Sequence, residues 1–155
     1  MVNHLELDSV IKRYGEKLIL SDVYLSVRTS QIVGVFGSNG SGKSTLFKIL
    51  YGIESSENHF IRLNESRIEK PFKLKNVLSY SAQDNFLPKT VFTKDVLEIF
   101  YNGELPKNVF ERFYSSLTTK VGNLSGGEQK LLQLYMILNS KSKFVILDEP
   151  FNHLS

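Results

Sequence analysis

The chain of 155 residues has no cysteine. A disulfide framework and a thiolate metal site are therefore excluded, and the composition fits a reducing compartment. Blocks of like charge are also missing. Its 19 Lys and Arg are scattered among 16 Asp and Glu, for a formal net charge of +3, which gives no strong nucleic-acid signal. The longest apolar segment, LLQLYMIL at 131–138, is interrupted by Gln133. It falls far short of the roughly 20 residues that span a bilayer, so direct membrane insertion is not expected and a membrane role must come through a partner. The opening MVNHLELDSV carries acids and no apolar stretch, unlike a leader peptide. No internal repeat or low-complexity tract is present. What remains is ordinary: 41% hydrophobic and 23% charged residues, the balance of a globular domain, at a length that suggests one domain with a small insert.

Along the chain, LELDSVIKRYG and LILSDVYLSV alternate near period two and read as strands. QIVGVFG at 31–37 is a short apolar run ending in glycine, the pattern of a buried strand. STLFKILY at 44–51 spaces Leu46, Ile49 and Leu50 as a helix does, and Gly52 is its natural stop. Strand character returns within 58–80. TKDVLEIFYN, from Thr93, puts Val96, Leu97, Phe100 and Tyr101 on one helical face. Residues 102–120 read as loop plus a short helix. Residues 126–139 are expected to be helical, with Leu131, Leu134, Tyr135 and Leu138 on one side. KFVIL at 143–147 is a second apolar run, ending at Asp148. Strands alternating with helices predict an α/β core with a parallel sheet, whose ligands sit at the carboxyl ends of strands. Gly37 and Asp148 both fall at such ends.

The stretch from Gly37 to Ser44, GSNGSGKS, matches G-x-x-x-x-G-K-[ST] between an expected strand and an expected helix. Gly37, Gly40 and Gly42 let the backbone wrap a phosphate, with the amides of Ser38, Asn39 and Ser41 turned inward. The helix that begins near Lys43 adds its positive end. Lys43 supplies a charge for the β and γ phosphates, and the Ser44 hydroxyl is a ligand for Mg2+; Thr45 completes the stretch. A phosphate loop needs a second, acidic element to hold the metal. FVILDEP supplies it with Asp148, and Glu149 stands next to it to polarise an attacking water.

A second glycine loop, LSGGEQK, begins at Leu124. Ser125 and Glu128 form the S-x-x-E of a capping box, yet a capping box does not require two glycines. Gly126 and Gly127 strip side chains from a helix start and leave an approachable anion site. Two copies placed head to tail would let the second loop of each close on the nucleotide held by the first loop of the other.

In this order the motifs resemble the nucleotide-binding domain of the ATP-binding cassette family: GSNGSGKST its Walker A loop, FVILDEP its Walker B strand, LSGGEQK its signature loop. The resemblance extends from Tyr14 to Leu154. It implies a phosphate-loop NTPase core with a parallel sheet, an N-terminal antiparallel β subdomain and a small helical subdomain. The core and β subdomain would take 1–83 and 121–155, with a helical insert at about 84–120. It implies ATP and Mg2+ as ligands. By position it makes Tyr14 the aromatic that stacks on adenine. Gln83, in YSAQDN, becomes the loop glutamine that touches Mg2+ or water and relays closure. Glu149 becomes the catalytic base, and Ser125, Gly126 and Gly127 the residues that meet the partner's γ-phosphate. It further implies a second cassette subunit, identical or not, a transmembrane transporter subunit, and a cytoplasmic place peripheral to the inner face of the membrane.

Departures are also legible. The stretch from Gln83 to Leu124 is shorter than the family's helical subdomain. PFNHLS ends in Ser155 where the family has aspartate. His153 lies in that loop and does not stand for the family's switch histidine, to which no residue here corresponds. His4 and His59 read as ordinary surface or strand residues. In the family a further strand lies between those of Walker A and Walker B. The expectation is therefore a cassette lacking its C-terminal part, with 31–37 and 143–147 unpaired across a gap of roughly 9–10 Å, poorly soluble or partly unfolded, and with negligible ATP turnover. The leading functional reading is the ATPase subunit of a transporter. Its alternatives are a soluble cassette protein acting on ribosomes or DNA, since NHLS resembles the NHLD of translation-associated members, and a catalytically incompetent nucleotide-binding fragment.

Overall fold

The computed structural model describes residues 2–151, in two compact units. The first takes residues up to Tyr80 together with Lys141–Asp148. Its antiparallel sheet runs in the order β2-β1-β3-β4, built from β1 His4–Tyr14, β2 Lys17–Arg28, β3 Asn58–Leu63 and β4 Ser66–Arg67. β1 buries Leu5 and Leu7 in alternation. An irregularity follows at Ser9, whose φ is +55°, and the inward face passes to Val10. One inserted residue switches the pleat in this way.

Helix α1, Lys43–Tyr51, buries Leu46, Ile49 and Leu50 as their spacing predicts. Gly52 ends it with a φ of +90°, and its N–H donates to the carbonyls of Lys48 and Ile49. Only glycine takes that conformation without strain. A second sheet pairs β5 Leu78–Ser81 with β6 Phe144–Leu147. The amides of Lys143 and Phe144 donate to the carbonyls of Asn76 and Val77 at 3.1 and 3.0 Å. At the entry to the two strands successive residues thus pair in the same sense, and the sheet is parallel.

Two expectations for this unit are corrected. The run 143–147 is not unpaired, because β5 supplies its ladder. The run 31–37 forms no strand, and Ile32, Val33 and Phe36 are exposed. A wholly apolar strand is stable only with ladder partners and covered faces, and neither sheet among the described residues includes this segment. Apolar character alone does not hold a strand without those partners.

The second unit, described over Ser81–Ser140 and 149–151, has its helices within Ser81–Ser140 and takes in 121–140 as well as the stretch 84–120. It holds α2 Thr93–Tyr101, α3 Lys107–Phe113 and α4 Gly126–Leu138. Leu87, Leu97, Val109, Phe113, Val121 and Leu132 are buried in its core. The packed face of α4 is the expected one at Leu134, which is buried, and at Tyr135, which packs against the core, and differs elsewhere. Leu132, Gln133 and Leu134 are buried, whereas Leu131 and Leu138 are exposed. Apolar residues surround this helix on several sides, so the stripe is ambiguous until packing chooses one. The architecture is that expected: α/β, with an antiparallel β subdomain, a parallel pair and a helical unit.

Candidate functional site

In the first unit, chain wrapping at 37–44 depends on glycine. Gly40 and Gly42 have φ of +78° and +96°. A Cβ at Gly42 would stand 2.8 Å from Ile19 Cγ2, so the loop lies directly on β2. Gly42 also caps α1, with no side chain bonded to the helix amides and no acid in the first turn. The helix start is left with its orphan N–H groups and its positive end unneutralised. Lys43 Nζ donates to the carbonyls of Gly37 and Ser38 at 2.8 and 2.9 Å. The ammonium is thereby folded over the loop.

Ser44 Oγ donates to Asp148 Oδ1 at 3.1 Å, across 104 positions of sequence. The other carboxylate oxygen accepts from the Tyr80 hydroxyl at 3.1 Å. Asp148 is 1% exposed, held at the end of β6. A hydroxyl and a carboxylate side by side next to a phosphate-loop lysine suit Mg2+, which takes one or two protein oxygens and completes its shell with phosphates and water. Among the described residues no group of three or more His, Cys, Asp or Glu is placed to hold a metal ion. Tyr80 escaped the sequence reading; a tyrosine in a short strand carries no motif.

Tyr14 ends β1, is 50% exposed, and its hydroxyl donates to Glu54 Oε1 at 3.4 Å. It belongs to the β1–β2 hairpin on which Gly42 rests.

In the second unit, Gln83 is exposed in the loop after β5. Three successive contacts from α4 grip that loop. Asn85 Nδ2 donates to Gln129 Oε1 at 2.5 Å. The Lys130 ammonium donates to the carbonyls of Ala82 and Gln83, each at 3.3 Å. Gln133 Nε2 donates to Ser81 Oγ and the Ala82 carbonyl at 2.8 and 3.1 Å. Lys130 and Gln133 were missed as contributors. Their one visible signal was Gln133 interrupting an apolar helix, since a buried amide needs partners.

The capping box is present at Ser125. Its amide donates to Glu128 Oε2 at 2.8 Å, and the Glu128 amide donates to Ser125 Oγ at 3.3 Å. The side-chain and backbone hydrogen bonds from Ser125 hold the Glu128 carboxyl below its ordinary 4.5. Gly126 and Gly127 are the first residues of α4. Glu149 follows Asp148 with a φ of +46°, a left-handed conformation rare for its type, and groups with the second unit. The readings of His153 and Ser155 lie outside the described residues. Of the sequence-derived residues, the structure thus brings Lys43, Ser44 and Asp148 together in one unit, and Gln83 with the helix of Ser125–Gly127 in the other.

A sequence model of the family described as ABC transporter matches residues 20–152. The chain is 34% identical over 160 residues to the energy-dependent translational throttle protein EttA of Escherichia coli, covering 97% of this chain and 27% of that protein. It is 26% identical over 175 residues to the phosphonates import ATP-binding protein PhnC of Fusobacterium nucleatum, covering 97% and 70%. The chain thus spans about a quarter of the length of the throttle proteins it matches. Among solved structures, the ATP-binding cassette MJ1267 of an ABC transporter superposes with a TM-score of 0.77 at 24% identity, over 97% of this chain and 70% of that one.

Proposed function

The chain belongs to the ABC transporter family, and from that membership we propose that it binds ATP with Mg2+ and hydrolyses it in a head-to-tail dimer that drives a membrane partner. The observation that carries this reading is the Ser44–Asp148 hydrogen bond beside the start of α1, whose amides no side chain caps. In this role the loop at 37–45 takes the triphosphate, Lys43 neutralises it, and Ser44 and Asp148 hold the metal. Mg2+ supplies charge compensation at the phosphates when bound. Gln83 orients water or metal, Glu149 accepts the proton of the attacking water, and Ser125, Gly126 and Gly127 face the γ-phosphate held by the other copy. Among the described residues no helix is long and apolar enough to cross a membrane; in this reading the membrane contact belongs to a separate subunit, which holds the cassette on the inner face of the membrane.

Lys43→Ala tests the ATP assignment. A hydrogen bond to a charged group is worth about 1.5–3 kcal/mol, so ATP affinity should fall roughly tenfold to hundredfold by titration calorimetry. Unchanged affinity overturns the reading. Steady-state turnover separates an ATPase from a binding-only cassette.

A second reading has its own support. The relative named as a translational throttle is more similar, at 34% identity, than the phosphonate importer at 26%. ATP-dependent co-sedimentation with ribosomes, and none with a membrane subunit, would replace the transporter reading with a soluble, translation-associated cassette.

A further inference from the structure

Beyond the irregularity at Ser9, the inward positions of β1 are Val10 and Lys12. Lys12 is 8% exposed, at a place where the pleat calls for an apolar side chain. A buried ammonium is unfavourable unless it is paired and hydrogen-bonded. Lys12 Nζ lies 2.7 Å from Glu54 Oε1 and donates to the Ser55 carbonyl at 2.6 Å. The same ammonium stands over the Tyr14 ring, 4.7 Å from its centroid. The Tyr14 hydroxyl in turn donates to Glu54 Oε1. Lys12 and Tyr14 are two apart on one strand and so share a face. The ring is therefore held at two points, its face by the ammonium and its hydroxyl by the carboxylate that the ammonium pairs with.

Glu54 is itself anchored. Its amide donates to the Lys48 carbonyl at 3.3 Å, at the C-terminal end of α1. The Lys12 hydrogen bond is the leading cause that keeps its carboxyl below the usual range, with Lys48 adding to it. At its other end the same helix opens at Gly42, which rests on β2 beside Leu20, the residue that pairs with Lys12 across the hairpin.

We propose that Lys12 and Glu54 are positioning residues that hold the Tyr14 ring ready to stack on the purine of a bound nucleoside triphosphate. This rests on the reading of Tyr14 as the base-stacking aromatic. A half-exposed tyrosine at a hairpin tip would otherwise have to be ordered by the ligand, with a loss of affinity.

The test uses the whole chain, with ATP and inorganic tripolyphosphate as probes in titration calorimetry. Lys12→Met keeps the stem and suits the inward position, so folding is spared. It should weaken ATP roughly fivefold, the scale of immobilising one side chain, and leave tripolyphosphate unchanged. Lys12→Arg should recover most of the loss, and Glu54→Gln should act in the direction of Lys12→Met. The inference is overturned if Tyr14→Ala weakens ATP while Lys12→Met does not. It is equally overturned if Lys12→Met weakens both probes alike, which marks a general loosening. If Tyr14→Ala has no effect, the reading of Tyr14 fails and the inference with it. A chain that holds neither probe overturns the proposed ATP function itself, and the inference falls with that too.

Discussion

The two glycine loops open their helices in opposite states. At α1 the capping residue is Gly42, no side chain bonds the first amides, and the third helical position is Thr45. At α4 the cap is Ser125, its hydroxyl accepts from the Glu128 amide, and the third helical position is the acid Glu128 itself. A helix start has four orphan amides and a partial positive charge. The first loop leaves both unspent and adds a lysine. The second has satisfied part of its own end and neutralised it with a carboxylate. Glycine therefore serves different ends. In the first loop it permits wrapping by left-handed φ at Gly40 and Gly42. In the second, Gly126 and Gly127 keep the surface bare. In the proposed role the first loop takes an anion by itself. The second gains one only when something brings an anion to it, which is what a second copy would do.

That contrast is most severely tested by Gly126→Asp. It should leave ATP binding by the monomer unchanged and abolish ATP-dependent dimers on size-exclusion chromatography, because an added carboxylate repels the partner's γ-phosphate. Dimers that persist would break the head-to-tail scheme. Thr45→Glu carries the acid of the second loop into the same helical position of the first. Charge at a helix N-terminus is worth up to about 2 kcal/mol in partly buried geometry. ATP affinity should fall about tenfold to thirtyfold by calorimetry, with no change in the circular dichroism of the helices. Equal affinity would mean that the open end of α1 is not what attracts phosphate.

The smallest effect is expected at Ser125→Ala. Loss of an N-cap costs about 1 kcal/mol, so the melting temperature should drop by about 2–4 °C while monomer ATP affinity stays level. The same variant should return the Glu128 titration, followed by NMR, toward 4.5 from below. A depressed folded-state value means that the contribution of the carboxylate is present above pH 4.5. It is lost as pH falls through the folded-state value. The capping box should thus persist at neutral pH and open only in acid. A Glu128 midpoint at or above 4.5 in the unaltered chain would contradict the bonded geometry.

Much of the candidate site is local chemistry and was legible for that reason. The capping box at 125–128 and the left-handed glycines of 37–42 are arrangements within a few residues, where residue type dictates geometry. The Gly52 stop belongs to the same class. The failures share a different cause. Residues 31–37 have the composition of a buried strand but find no ladder partner among the described residues, and composition carries no information about partners. Leu131 and Leu138 looked as suited to burial as Leu132 and Leu134. The choice between faces was made by the neighbours, and the same packing buried Lys130 and Gln133 against the carbonyls of the 82–83 loop.

Taken alone, the amino-acid sequence determined which loops wrap, which helices begin and end where they do, and which side chains carry charge, because these are set by torsional preference and by contacts a turn or less away. The tertiary structure alone decided that Ser44 meets Asp148, that Tyr80 takes the second carboxylate oxygen, and that Lys12 lies under Tyr14 with Glu54 as its counter-ion. Apart from the short step from Lys12 to Tyr14, these contacts join residues tens of positions apart. Their closure is fixed by burial and by the need of each buried polar group for a partner, and no local period in the chain records that.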